Sequence, residues 1–401
     1  MSRLTRPRRL GVGLISAGWM GRLHSRAYLA IRDKYADLDV MPELVIVADP
    51  VTANTAQFQA QFGYRETAED YRSVLDHPDV DVVSICAPNF LHYPFAQAAA
   101  QAGKPFWIEK PMGTSREESA GIVAAAEAQS LRTGVGFTYR GAPAIVHAHD
   151  LLRSGALGRI TNIHCKLDAD YSADPSGPRT WRFVRKTGGT GVLGDLLSHG
   201  FDLAHYLVGA PITAVSALTS TFIPERPAPG AGTGHTVQVD SGAPMAPVEN
   251  EDYACLLARF ADGVVGTFES SRVATGSRCD YGIDIHCTDG AIRWNFERMN
   301  ELHICSGPSA RDYGYTTQMS DAGFGEFARF QPGAGMGLSF DDLKTIEGAA
   351  FVRSVVTDTQ AAPSVGDGLA AANVAEAAVR SAASGAWAEV PAPPATATFA
   401  A

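Results

Sequence analysis

"VGLISAGWMG", residues 12–21, is the stretch on which the fold turns. An apolar, β-branched run enters a glycine-rich turn, and "MGRLHSRAYLAIRDKY" follows with apolar positions three and four apart, the period of a helix. A strand, a glycine turn and a helix N-terminus together make an anion cradle: the first N–H groups of a helix are unpaired, and its dipole favours negative charge. The dinucleotide fingerprint G-x-G-x-x-G is incomplete, because Ser16 holds the first position ahead of Gly18 and Gly21. Gly18 would let the backbone approach a pyrophosphate, and Gly21 would let helix and strand pack closely. Serine can make the first turn if its φ stays negative, so the fingerprint is expected to be weakened and not lost. The backbone of Ser16, Gly18, Trp19, Met20 and Gly21 is then the expected cofactor cradle.

Outward from this turn, the strands "LGVGLI", "ELVIVA", "VDVVSICA", "PFWIE" and "TGVGF" alternate with helical stretches as far as residue 140. That alternation means right-handed βαβ units and a parallel Rossmann sheet. Asp49 closes the second strand in "VIVADP". An acid there suits the adenosine ribose hydroxyls and repels a 2′-phosphate, which favours NAD over NADP. A plain turn before Pro50 is the structural alternative.

Beyond Arg140 the pattern changes to "RITNIHCKLDADY", a helix "GDLLSHGFDLAHYLVG", and then "ITAVSALTSTF", "YACLLARFA", "GVVGTFESSRV", "YGIDIHCT", "AIRWNFE" and "ELHICS". Asp262-Gly263 and Asp289-Gly290 read as hairpin turns. The expected fold is α/β: a Rossmann domain over residues 1–140, then an α+β domain over 141–401 with a mostly antiparallel, open-faced sheet. The late helices have the option of packing back on the first domain. Pro224–Val248 reads as an exposed loop. An uncovered sheet face invites a homodimer or homotetramer.

The 401 residues carry 33 basic and 43 acidic side chains, a net charge of −10, which argues against a nucleic-acid partner. Six scattered cysteines without a C-x-x-C pair read as reduced residues of a cytoplasmic protein. No apolar run is long enough to suggest a membrane span. "RPRRLGVGLISAG" superficially matches a twin-arginine export signal but reads as a basic tail, since cleavage there would destroy the glycine turn.

Three further stretches carry a resemblance. "APNFLHYPFAQAAAQAGKPFWIEKPMGTS" contains Pro88, Asn89 and His92, then Glu109-Lys110-Pro111 at a strand end; "GFTYRGAP" and "GGTGVLGDLLSHGFDLAHYLVG" follow. Together with the opening turn they resemble the glucose–fructose oxidoreductase/inositol dehydrogenase/rhizopine-catabolism (Gfo/Idh/MocA) family over nearly the whole chain. "DYSADPSGPRTWRF" and "IPERP" resemble its branch of levoglucosan dehydrogenase and glycoside 3-dehydrogenases. The resemblance implies an NAD-dependent oxidoreductase, with Pro88, Asn89, His92, Glu109, Lys110, Trp181 and Arg182 contacting the cofactor. It also implies that Lys110, Tyr139, Arg140, Asp195 and His199 line a sugar or polyol pocket without a metal.

Alcohol oxidation needs a hydride acceptor at the carbinol carbon and a base for its proton. Asp195, His199 and Asp202, spaced four and three apart, would share one helix face. His199 is the expected base, Asp195 its orienting group or a substrate ligand, and Lys110 the cation that stabilises a developing alkoxide. The expected reaction is oxidation of a ring secondary alcohol of a sugar, a glycoside (at C3) or an inositol. An NAD-retaining glycoside hydrolase and a non-catalytic sugar sensor are the alternatives, the second disfavoured because Lys110 and His199 are both present.

Overall fold

Strands that are apolar on both faces must be covered on both, and parallel pairing with helical crossovers achieves this. The computed structural model describes residues 7–230, 232, 237–307, 314–361 and 363–399. Its first sheet contains β1 (Arg8–Ile15), β2 (Val40–Ala48), β3 (Glu66–Ala68), β4 (Val82–Ile85), β5 (Phe106–Ile108) and β6 (Thr133–Val135). They are all parallel, in the order β3-β2-β1-β4-β5-β6. The order reverses beside β1, where a doubly wound sheet opens its crevice at the carboxyl ends of the strands. The expected Rossmann sheet is therefore present.

The second sheet is built from β7 (Ile160–Asp168), β8 (Ile212–Ser220), β11 (Tyr253–Phe260), β12 (Val265–Ser271), β13 (Asp280–Cys287), β14 (Gly290–Asn295), β15 (Glu301–Ser306), β16 (Thr316–Met319) and β17 (Ala388–Glu389). Between β8 and β11, β9 (Glu225–Pro227) and β10 (Met245–Pro247) pair with each other inside the segment read as a loop. Both expected hairpins form, β11–β12 and β13–β14, and β7–β12 is a parallel pair within an otherwise antiparallel sheet. Strand β11 alternates buried and more exposed residues, because one face packs on helices and the other stays open. Leu218, Leu257 and Val265 stand on that open side, each more than half exposed. The strands absent from the sequence reading, β3, β9, β10, β16 and β17, have two to four residues each, too few to show a period.

Helix Phe340–Thr357 lies against helix Trp19–Lys34 of the first sheet's unit, and Ala349, Phe351 and Val352 share a core with Ala27, Tyr28 and Trp107. Among the described residues, no helix is long and apolar enough to cross a membrane.

Candidate active site

The glycine turn departs from expectation at one angle. Ser16 has φ +78°, in the left-handed region, where a negative value was expected. A non-glycine residue held there stores on the order of 1–3 kcal/mol. The carboxyl end of β2 holds the turn in place: Ser16 N donates to Ala48 O at 2.8 Å, and Ala17 N to Asp49 Oδ2 at 2.9 Å. Asp49 Oδ1 also accepts from Val51 N and Asn54 Nδ2, so the acid is a turn brace as well as a charge beside the cradle.

Gly18 precedes the helix at Trp19 and, as a glycine, brings no side chain to cap it. A Cβ at Gly18 would have no neighbour within 4 Å, and its φ of −90° suits any residue. The protein's own packing does not require this glycine, which keeps clear the space over the helix N-terminus. Gly21 is different: a Cβ there would lie 2.6 Å from Ser16 O. Trp19 stands out from the turn with its ring parallel to Phe340, centroids 6.2 Å apart, and Met20 is half-buried beside it.

At the end of β5, the Lys110–Pro111 peptide is cis and Lys110 Nζ reaches Asp195, donating to its carbonyl at 2.7 Å and to Oδ1 at 3.2 Å. The second carboxylate oxygen, Oδ2, accepts from the Tyr171 hydroxyl at 2.8 Å. Burial alone would raise the Asp195 pKa, but Lys110, Arg182 and this hydroxyl hold it well below the usual carboxylate range. Asp195 is thus an anion between a cation and a phenol.

The helix expected to run on from Gly194 is interrupted. A short turn ends at Asp195, Leu196 adopts φ −106° and ψ −56°, and a second helix runs Leu197–Val208. Asp195 therefore does not orient His199, since its oxygens are taken by Lys110 and Tyr171. Aromatic edges frame His199 instead, with Tyr139 at 4.7 Å and Phe137 at 6.0 Å between centroids. Burial first, then the Lys110 charge, push its pKa well below the ordinary value, so the ring is neutral.

Two expected ligand contacts are redirected. Arg140 does not line a pocket as a free donor: it binds Asp202 through two bonds of 2.5 and 2.8 Å and Asp367 at 3.0 Å, all three nearly inaccessible. A buried guanidinium needs carboxylates, and two were within reach. Asp202 accordingly faces Arg140, not the site. Glu109 was expected at the cofactor; its Oε1 instead accepts from Lys344 Nζ at 2.5 Å and contacts His24 Nε2 at 3.1 Å, while Oε2 accepts from Lys110 N at 3.3 Å.

Pro88 starts helix Asn89–Gln101, whose side chains tie the site's walls together. Asn89 donates to Gly188 O, and His92 Nδ1 meets Pro111 O at 2.7 Å. Trp181 lies under the Arg182 guanidinium at 4.3 Å and edges Phe90. The Tyr139 hydroxyl faces the Cys279 thiol. His92 Nε2 and His199 Nδ1 are buried without a protein partner. Two orphaned ring nitrogens and a bare helix N-terminus fit a ligand with phosphates and hydroxyls, as a dinucleotide has. No three His, Cys, Asp or Glu side chains gather as a metal set among the described residues.

Tyr171, His24, Lys344 and Glu347 were not singled out from sequence. Tyr171 sat unassigned inside "DYSADPSGPRTWRF"; two charges three apart in the apolar "SFDDLKTIEGAAF" were the visible signal for Lys344 and Glu347.

Comparison with known proteins places the chain in a family. Residues 10–137 match the model of the oxidoreductase family's NAD-binding Rossmann fold, and residues 145–293 match the GFO/IDH/MocA C-terminal domain. The chain belongs to the Gfo/Idh/MocA oxidoreductase family. Within that family it is 36% identical over 384 residues to levoglucosan dehydrogenase of Pseudarthrobacter phenanthrenivorans (strain DSM 18606 / JCM 16027 / LMG 23796 / Sphe3), covering 95% of this chain and 98% of that protein. A solved levoglucosan dehydrogenase in complex with NADH and levoglucosan superposes with a TM-score of 0.89 at 35% identity, over 96% of this chain and all of that one. Inositol 2-dehydrogenase of Rhizobium meliloti (strain 1021) is 25% identical over 92% of this chain and 96% of its own. As a Gfo/Idh/MocA member, the protein is an oxidoreductase whose Rossmann domain binds NAD.

Proposed function

We propose that this protein oxidises a ring secondary alcohol of a sugar, a glycoside (at C3 of a pyranoside) or an inositol. One observation carries the reading: a lysine–carboxylate–phenol cluster, Lys110, Asp195 and Tyr171, with the neutral histidine His199 facing Lys110, lies where β5 ends, on the same carboxyl edge of the parallel sheet that carries the glycine turn. Bound NAD would accept the hydride from the carbinol carbon. Gly18 and the helix beyond it would hold the pyrophosphate, with His92, Asn89, Trp181 and Arg182 around the nicotinamide half.

Lys110 would bind the reacting hydroxyl and stabilise its oxygen as negative charge develops. His199, uncharged, would accept the hydroxyl proton. Asp195 would accept from a neighbouring ring hydroxyl while holding Lys110 in place. Tyr139 would form an apolar wall against the ring. The levoglucosan-dehydrogenase relatives favour a pyranose-derived substrate over an inositol.

Purified protein supplied with NAD and a panel of pyranosides, anhydrosugars, free sugars and inositols should form NADH with a subset of them. Lys110→Ala and His199→Ala should each abolish that signal; an active His199→Ala enzyme would overturn the base assignment. We infer a division of labour near residue 140, with the open face of the second sheet, around Leu218, Leu257 and Val265, joining copies into a homodimer or homotetramer. Light scattering on a Leu257→Glu variant would test this. The cytoplasm, where six free cysteines stay reduced, is the proposed location.

A further inference from the structure

Glu109 is an unexpected charge to find in this position. It directly precedes Lys110, it is 5% exposed, and both oxygens of its carboxylate already have protein partners. Its main partner comes from far along the chain. Lys344 in helix Phe340–Thr357 is fully buried, and its ammonium lies 2.5 Å from Glu109 Oε1 and 3.0 Å from Glu347 Oε1. Glu347 in turn accepts from Trp107 Nε1 at 2.6 Å, and Trp107 stacks on His24 at 3.5 Å. A buried carboxylate requires a counter-charge, and this cluster supplies it beneath the strand end that carries Lys110.

The alternative partner for that carboxylate is Lys110 itself. Its Nζ now rests on Asp195, but a carboxylate one residue away with no other cation would compete for it. We propose that Lys344 is a positioning residue for the active site: by holding and neutralising Glu109, it leaves the Lys110 ammonium to Asp195 and the substrate. The inference rests on the roles given above to Lys110 and His199.

The surrounding charges are consistent with this role. The groups facing Lys110 are Asp195, Cys279, His92 and His199, with Tyr171 and Arg182 facing Asp195 beside it. Those facing Glu109 are Lys344, His24, Glu347, Cys86, Tyr139, His92 and His199. His199 feels both members of the buried pair with opposite sign: Glu109 favours its protonated form and Lys344 its neutral form. Removing Lys344 alone leaves an unbalanced negative charge that acts on Lys110 and His199 together.

The test compares Lys344→Met, Glu109→Gln and the double variant in the full chain. Two readouts are taken: kcat/KM against pH, and the rate at which Lys110 is acylated by a small N-hydroxysuccinimide ester, mapped by mass spectrometry. In Lys344→Met, Lys110 labelling at pH 8 should slow about tenfold and the acid limb of kcat/KM should move up by about one pH unit. In Glu109→Gln both effects should reverse sign, and in the double variant both should return toward wild type.

Wild-type labelling and an unchanged profile in Lys344→Met would overturn the proposal. So would a double variant as impaired as Lys344→Met, since that outcome assigns Lys344 a packing role only. If Lys344→Met fails to fold, Glu109→Gln still decides by whether Lys110 labelling quickens. Absence of turnover in the wild type with every sugar would sink the dehydrogenase reading while leaving the labelling comparison intact.

Discussion

The Tyr171 hydroxyl donates to Asp195 Oδ2 at 2.8 Å, while Lys110 Nζ takes Oδ1 of the same carboxylate at 3.2 Å. One acid thus aligns a phenol and an ammonium, and the phenol ring is half exposed above it. A hydrogen bond to a charged group contributes about 1.5–3 kcal/mol when sheltered, and less beside solvent. Tyr171→Phe should therefore lower kcat/KM about tenfold while leaving NAD affinity and melting temperature unchanged. Equal kcat/KM for the two proteins would remove Tyr171 from the site.

The two small residues of the glycine turn should separate stability from binding. Ser16 pays for a left-handed φ that glycine adopts freely, so Ser16→Gly should raise the melting temperature by relieving about 1 kcal/mol. NAD affinity should barely change. Gly18→Val should do the opposite: its Cβ meets no protein atom, so folding is spared while the branched side chain fills the phosphate space. Calorimetry with NAD and a melting curve on each variant would check both halves.

Arg140 should behave as part of the core. Arg140→Met strands Asp202 and Asp367 without their counter-charge, and breaking a buried pair in this way costs about 3–5 kcal/mol. The expected result is a large loss of chemical stability. A variant of normal stability with a raised KM would instead restore Arg140 to the substrate pocket.

Acid should destabilise the protein through its buried histidines. Burial lowers His24 to about 4 and His205 to about 3, and also lowers His92 and His199. Their folded pKa values lie below the unfolded value of about 6.5, so as pH falls the unfolded chain binds protons first. The stability they provide is complete above about pH 6.5 and is lost as pH falls toward their folded values. Asp202, pushed up to about 7 by burial, and Glu347, also raised, oppose this trend. With His149 also lowered and Asp168 also raised, five histidines against three carboxyls leave a net fall, which urea titrations between pH 7 and 5 would measure.

Legibility in the sequence followed the range of the interactions. The parallel sheet and its turn could be read because strand, turn and helix are contiguous, and periodicity reports local burial. Lys110, Asp195 and His199 emerged from motifs of the same kind. The pairing of Arg140 with Asp367 and of Glu109 with Lys344 was not legible, because these partners lie more than 200 residues away and no local pattern reveals who neutralises a charge. Ser16 was misjudged in φ because a composition rule ignores the bonds that force the angle, here Ser16 N to Ala48 O and Ala17 N to Asp49. Asp195 and His199 do lie one turn apart in sequence, but Lys110 and Tyr171 take the Asp195 oxygens, which spacing does not reveal.

Helix Phe340–Thr357, laid across helix Trp19–Lys34, has a consequence for the order in which the molecule matures. A ribosome releases the dinucleotide half first, with Glu109 already inside it and Lys344 still to be synthesised. Glu109 therefore waits for the chain's last quarter to bring its buried lysine partner. A cut at residue 140 would separate the Glu109 carboxylate from the ammonium that faces it.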